Sequence, residues 1–293
     1  MKALAFGEVL WDVYPDERYL GGAPLNFSAH LSRFGAQVYL VSAVGVDELG
    51  DAALKQIRDW GVRCDYIDRL AHRETGKCLV TLREGMPSYR LLENAAWDTI
   101  SAGEIRGQTF DALYFGTLAL RSRENRQQLQ YLMDNNRIKE RFVDLNLRPP
   151  FCDRETVNWA LERASIVKIS DEELPEVLEL LGESKALDAE SAAKSIARRF
   201  PQLDAVILTL AEKGSCAYAV KEDEFFRVDA LKTKLVSSVG AGDSFCAAWL
   251  YGYFSGKKWE ECLRVGAALA AFVVSRPEAV PEYRLEEGEK WNV

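Results

Sequence analysis

The sequence predicts an α/β protein: a doubly wound, mostly parallel sheet with a small β-hairpin lid. Two observations carry that prediction. Short apolar runs alternate with stretches of helical period along most of the chain, the pattern of a parallel sheet covered by helices. Between Gly76 and Glu93 the pattern changes to alternating apolar and polar residues around Arg83-Glu84-Gly85-Met86-Pro87. That alternation reads as a hairpin with one face in water.

The elements follow in order. Lys2 to Val9 reads as a buried strand, then comes an irregular polar stretch to Tyr19. Gly21-Gly22-Ala23-Pro24 turns into a helix that ends near Gly35. Val38–Val44 is a second apolar strand, and 51–60 a helix closed by Gly61. Gly76–Leu82 and Ser88–Glu93 form the hairpin. Further strands are expected at 112–115, 141–145, 166–169, 205–210 and 216–220, with helices at 123–135, 154–164, 171–181 and 189–200. A β-rich run from Lys232 to Val239 turns at Gly240 into a helix, Ser244–Phe254, that is apolar on nearly every side and hence internal. Trp259–Ser275 forms the last helical region. No repeat or linker interrupts the order, so residues 1–293 are expected to form one domain, with lid elements near 12–20 and 74–97.

Composition narrows the function. With 293 residues, 48% hydrophobic and 28% charged, the chain is that of a soluble globular protein. A net charge of −8 argues against an extended nucleic-acid surface, which needs a basic stripe. No run of 18 apolar residues is present to span a membrane. Glu8 and Asp12 interrupt the only N-terminal apolar stretch, so no signal peptide is expected. The six cysteines are scattered without a Cys-x-x-Cys pair, as reduced thiols are, and the expected compartment is the cytoplasm. His30 and His72 are the only histidines, too few for a histidine-based relay, and His30 reads as structural.

Four short motifs lie at strand ends or helix starts, where ligands gather in open α/β sheets. Gly240-Ala241-Gly242-Asp243 opens the internal helix. Its glycines let a ligand approach the backbone, and the first helix amides point outward at the positive end of the dipole. Such a turn either holds an anion such as phosphate or is a glycine turn with Asp243 as a helix cap. A carboxylate beside a phosphate site has an evident use as general base toward an attacking hydroxyl. Asp243 itself is expected to have a low pKa, since a helix N-terminus favours its anion. Asp12 and Asn26 offer the acceptor and the amide that a polyol needs, or serve as loop and cap residues. Asp144-Leu145-Asn146-Leu147-Arg148 follows an apolar strand, and Arg148 presents a planar fork suited to phosphate oxygens.

Together these residues resemble the ribokinase-like (PfkB) family of carbohydrate kinases, over nearly the whole chain and in the family's order. The resemblance implies ATP-dependent phosphorylation of a sugar hydroxyl, with Mg2+ accompanying the nucleotide. It implies Asp243 as catalytic base, Gly240, Ala241 and Gly242 as anion hole, and Arg148 near the phosphates. Asp12, Gly22 and Asn26 match sugar-holding positions. Trp97, just after the hairpin, reads either as packing over the sugar face or as lid core. Lys168, Thr209, Gly214 and Gly242 fall on the nucleotide side, and Glu173 on the magnesium side. Gly22-Ala23-Pro24-Leu25-Asn26, Ala95-Ala96-Trp97-Asp98 and Lys168 to Glu173 look more like fructokinases than ribokinases. The expected substrate is therefore a free ketohexose, fructose first, with 2-keto-3-deoxygluconate and ribose behind.

Three departures from the family pattern matter. Ser237-Ser238 stand where the family has Asp-Thr, which removes a carboxylate that helps organise a monovalent-cation site, so the expected response to potassium is weak. Ser170-Asp171-Glu172-Glu173 keeps the glutamate of the family's Asn-x-x-Glu but not its asparagine. Leu210-Ala211 and Arg276-Pro277-Glu278 replace glycine-containing segments toward the adenine. A dinucleotide-binding oxidoreductase fits less well, because Phe245 takes the place of the third fingerprint glycine. A non-catalytic sugar or nucleotide sensor on the same fold is the other alternative. The exposed edge of the lid offers a surface for a homodimer.

Overall fold

The apolar runs become strands in an order that puts the first of them inside the sheet, between two later strands. The computed structural model describes residues 1–83 and 86–283. Among these the strands are β1 (Lys2–Phe6), β2 (Leu10–Val13), β3 (Arg18–Gly21), β4 (Gln37–Gly45), β5 (Arg63–Leu70), β6 (Gly76–Arg83), β7 (Met86–Leu91), β8 (Thr109–Phe115), β9 (Arg137–Asp144), β10 (Ile166–Ser170), β11 (Ala205–Thr209), β12 (Ser215–Ala219) and β13 (Glu224–Val228). The helices are α1 (Ala23–Arg33), α2 (Glu48–Asp59), α3 (Arg123–Asn135), α4 (Arg154–Arg163), α5 (Leu174–Leu181), α6 (Ala189–Arg199), α7 (Ala241–Phe254) and α8 (Trp259–Val274).

The large sheet runs β13-β12-β11-β10-β9-β8-β1-β4-β5. From β5 to β11 every neighbouring pair is parallel, and β12 and β13 add antiparallel to one edge. Side chains of β1 alternate between two cores, as the period of a strand dictates. Leu4 and Phe6 join a core built with α3, α4, α5 and α6, while Ala3 and Ala5 join one built with α1, α2, α7 and α8. The sheet is thus wound on both faces, as the sequence predicts. Chain order reverses around β1, between β8 and β4, and the crevice beyond the carboxyl ends there is where such sheets bind ligands.

Local chemistry accounts for the helices. Asp47 opens α2 by accepting from Gly50 N, and Ala53, Leu54 and Ile57 turn its apolar face inward. α7 is buried from Asp243 to Leu250, which satisfies its all-round apolar sequence. All six cysteines are free thiols, and no described helix is long and apolar enough to cross a membrane.

A second sheet, β3-β2-β6-β7, stands beside the first. β6 and β7 are the expected hairpin, whose tip (84–85) lies outside the described residues. The polar stretch to Tyr19, expected to be irregular, is instead most of the hairpin β2–β3, pinned by buried Trp11 and Leu20. Strands of four residues are too short to reveal their period. β5 and β13 were also not expected. Both lie at sheet edges, where charged residues such as Arg63, Asp65 and Arg69 are at home and mask the strand pattern.

The reverse error occurs at 232–239. This β-rich run forms no strand: Leu235 and Val236 are exposed, and the amides of Val236 and Ser237 donate to Val274 O at the end of α8. β-propensity needs a partner strand to act, and none lies alongside.

Candidate active site

Gly240 caps α7 with φ at 79°, a backbone that favours glycine, and Ala279 packs so close that an added Cβ would stand 2.7 Å from the Ala279 methyl. The Ala241 amide donates to Ser238 O at 3.3 Å. The amides of Gly240, Gly242 and Asp243 have no acceptor among the described residues. Two of them open the first turn of α7, so the positive end of that helix can take an anion. Of the amides expected to form the anion hole, that of Ala241 is engaged by Ser238 O; the Asp243 amide, outside the expected set, has no acceptor among the described residues.

Asp243, the third residue of α7, is buried. It accepts a hydrogen bond from Asn26 Nδ2 at 2.8 Å, joining α7 to α1. The low pKa expected for it is not what the environment produces. Burial pushes its carboxyl up to about 6; the Asn26 bond and the charges of Lys168 and Arg148 pull down, and Asp144 pushes up. Desolvation outweighs the helix dipole because Asp243 lies inside the protein instead of at an exposed helix end. The other Asn26 atom, Oδ1, is buried without a hydrogen-bond partner among the described residues.

Asp12, on β2, lies next to Asn26 by way of Gly21. A Cβ on Gly21 would stand 3.3 Å from Asp12 Oδ2 and 4.0 Å from Asn26 Oδ1. The backbone that gives a ligand room between these two polar groups is therefore Gly21. Gly22, the sequence-predicted position, packs against the Glu8 carbonyl and starts α1. Burial raises Asp12 to about 6, while the Cys78 thiol and the Arg148 charge pull it down. Cys78 is the β6 residue opposite Asp12 in the register.

Glu8 is a site residue that the motifs missed. Its carboxylate accepts from Ala23 N at 3.1 Å and caps α1 from the end of β1. Burial raises it to about 7, with Asp243 and Arg148 within electrostatic reach. The signal was present: an acidic residue interrupting an apolar run.

On the nucleotide side, Asp144 ends β9 and forms a buried ion pair with Lys168 of β10, Nζ to Oδ1 at 3.1 Å. Arg148 is exposed and donates to its neighbour Leu147 O, leaving most of its fork for a ligand. Thr209 ends β11, and Gly214 accepts from Leu210 N in the turn that follows. Glu173 sits at the start of α5, and both its oxygens are engaged: Oε1 by Leu147 N, Oε2 by Ser170 N and Oγ. It staples the loop after β9 to that after β10. Among the described residues no group of three or more His, Cys, Asp or Glu could hold a metal ion. This donor set suits a magnesium ion carried by nucleotide phosphates, not one caged by protein.

Trp97 does not face a sugar. It is 1% exposed, lies beneath the Arg121 guanidinium at 4.1 Å and packs against Gly76. An indole next to the hairpin has served as its footing. His30 is structural as expected: its ring bridges Ala279 O and Tyr283 Oη, each at 2.9 Å.

Residues 4–283 match the sequence profile described as pfkB family carbohydrate kinase. The chain belongs to the pfkB family of carbohydrate kinases. The kinase is 26% identical over 290 residues to a 5-dehydro-2-deoxygluconokinase of Listeria innocua, covering 94% of this chain and 87% of that one. It superposes on a Vibrio cholerae fructokinase solved with fructose, ADP and potassium ion, with TM-score 0.80, 20% identity and coverage of 95% and 94%. An E. coli protein provisionally named ribokinase II, solved with ATP and Mg2+, gives TM-score 0.81 at 23% identity and coverage of 99% and 98%. At such identities the structural likeness carries the fold, and the family assignment carries the sugar kinase activity.

Proposed function

We propose that this kinase transfers the γ-phosphate of ATP to a hydroxyl of a free ketohexose, fructose first. The observation that carries the reading is the Asn26–Asp243 bond at the mouth of the α7 amides. It puts a buried carboxylate, one oxygen anchored and one lone-pair set free, beside an anion-binding helix end. The sugar hydroxyl gives its proton to Asp243 as its oxygen bonds to the γ-phosphorus and the bond to the ADP oxygen breaks. The amides at the start of α7 and the Arg148 fork stabilise charge on the group in flight. Mg2+, which accompanies ATP in the E. coli protein solved with both, would supply charge neutralisation at the nucleotide phosphates.

A neutral sugar is favoured by the charges around it. Glu8, Asp12 and Asp243 are three carboxyl groups facing Arg148 and the Lys168 ammonium; Asp144 already engages Lys168, and a phosphate makes the first demand on Arg148. The orphaned Asn26 Oδ1 and the Asp12 carboxylate accept hydroxyl hydrogens, and a buried polar site rejects analogues that leave such atoms unpaired.

A keto-sugar acid is the second reading. It is supported by the placement of Arg148 near Asp12 and by the likeness to the Listeria 5-dehydro-2-deoxygluconokinase. The deciding experiment measures kcat/KM with ATP and Mg2+ for fructose, ribose, 2-keto-3-deoxygluconate and 5-dehydro-2-deoxygluconate. A competitor that beats fructose tenfold, about 1.4 kcal/mol of transition-state binding, overturns the fructose assignment and leaves the kinase. No turnover with any sugar would favour the sensor reading.

A further inference from the structure

Among the described residues, the fold draws the Lys168 ammonium beneath the site. It is 5% exposed, in the middle of a parallel sheet, where an unpaired charge would be heavily penalised. Its Nζ donates to both oxygens of Asp144, at 3.1 and 3.4 Å. Asp144 also accepts from Tyr114 Oη at 3.4 Å and from the Cys246 thiol at 3.6 Å. The carboxylate is thus rich in donors. Among the described residues, the ammonium, with three hydrogens, has Asp144 as its hydrogen-bond acceptor. Burial alone would strip the proton from Lys168, but Asp144 and Glu173 reverse that, so the cation persists at neutral pH.

Its position is what matters. Nζ lies 3.1 Å from the point where a Cβ on Gly242 would sit, and Asp144 Oδ2 lies 3.7 Å from it. The charge is therefore pressed against the first turn of α7, next to the free amides of Gly242 and Asp243. On the reading of this turn as the phosphoryl-transfer centre, we infer that Lys168 is a buried electrostatic component of the anion hole, held beneath Gly242 by Asp144, that stabilises the phosphoryl group in flight. A fixed charge in a water-excluded site acts on developing charge without reorganising. Asp144 is then the positioning residue, and Gly242 is the residue whose missing side chain lets the charge approach.

The alternative is that the pair only fills the core under α7. A charge-neutral double variant separates the two, because removing both partners leaves no orphaned charge. The experiment compares Lys168→Met, the double variant Lys168→Met/Asp144→Asn and Asp243→Asn with the unmodified protein. Melting temperature, kcat, KM for sugar and ATP, and the pH profile are measured for each. The double variant is expected to melt near the unmodified protein, to hold its sugar KM within about threefold, and to lose kcat by about 10²-fold.

The pH profile adds a readout that a filling role would not move. Asp243 is faced by Glu8 beyond β1, Asn26 on α1, Tyr114 on β8, Asp144 and Arg148 at the end of β9, Lys168 on β10 and Cys246 on its own helix. Losing Lys168 alone moves the acid limb of kcat/KM to higher pH. Losing Asp144 as well brings it back, with kcat still low. A double variant with kcat within about threefold of the unmodified protein overturns the inference. If the double variant does not fold, Lys168→Arg and Lys168→Gln take its place. Charge retention then predicts a kcat higher by about tenfold or more in the arginine variant, and equal values overturn the inference. Normal turnover in Asp243→Asn would instead remove the centre on which the inference rests.

Discussion

Asn26 on α1 donates its side-chain amide to the Asp243 carboxylate on α7 at 2.8 Å, across 217 positions of sequence. The bond anchors one carboxylate oxygen and orients the other. It also brings the N-terminal ends of α1 and α7 to one point. On the proposed function, the carboxylate that takes the proton and the amide that meets the sugar are thus held as a unit, and four expectations follow from that reading.

Asp243→Asn keeps the shape of the site and removes the proton acceptor. We expect kcat to fall by about 10²–10⁴ with sugar affinity nearly unchanged. Steady-state kinetics and direct sugar titration check this; near-normal turnover would exclude Asp243 as the base.

The base works only when ionised. With its carboxyl near 6, kcat/KM should drop as pH falls through about 6. The Asn26 hydrogen bond lowers that value, so Asn26→Ala should move the acid limb upward while weakening sugar binding. A pH profile with no acid limb between 5 and 7, to about half a unit, would contradict the assignment.

Glu8 affects stability in the opposite sense to a salt-bridged carboxylate. Burial raises its folded pKa to about 7, above the ordinary carboxyl value of 4.5, so the folded state holds the proton more tightly. The contribution is fully present below 4.5 and is lost as pH rises through 7. Glu8→Gln keeps an acceptor for Ala23 N and cannot ionise. It should therefore stabilise at alkaline pH, on the order of 1–3 kcal/mol, and give no gain under acid conditions. Urea midpoints on both sides of the transition test this, and equal differences would refute it.

Potassium should matter little. Ser237 Oγ accepts from Val239 N at 3.2 Å, and no carboxylate takes the place of the family's aspartate there. Replacing potassium with sodium or a bulky organic cation is expected to change kcat modestly. A steep potassium requirement would mean that backbone carbonyls build the site unaided.

The fold and its centre were legible where chemistry is local. The α7 turn, Asp243, Asn26 and Asp12 announce themselves by residue type at strand ends and helix starts, and the structure brings Asp243 and Asn26 into contact. What could not be read depends on neighbours distant in sequence. The pKa of Asp243 follows from burial that no local window displays. The exchange of roles between Gly21 and Gly22 depends on where the Glu8 carbonyl lies. Trp97 looks the same in sequence whether it lines a pocket or supports a hairpin, and only Gly76 and Arg121 decide. The Lys232–Val239 run carried a strand's composition without a strand's partner.

The seat of Ala279 against Gly240 makes the catalytic turn depend on a segment outside the sheet. His30 grips that segment at Ala279 O and Tyr283 Oη, and Arg33 adds a bond to Pro281 O. Exposed at Arg276, Pro277 and Glu278, this strap has less to hold it than the two cores do. Local opening of such a region requires less free energy than global unfolding. On heating, the kinase should therefore fall silent before it melts: the midpoint for loss of turnover lies below the midpoint for loss of the sheet, and the interval between them measures how firmly this strap is held.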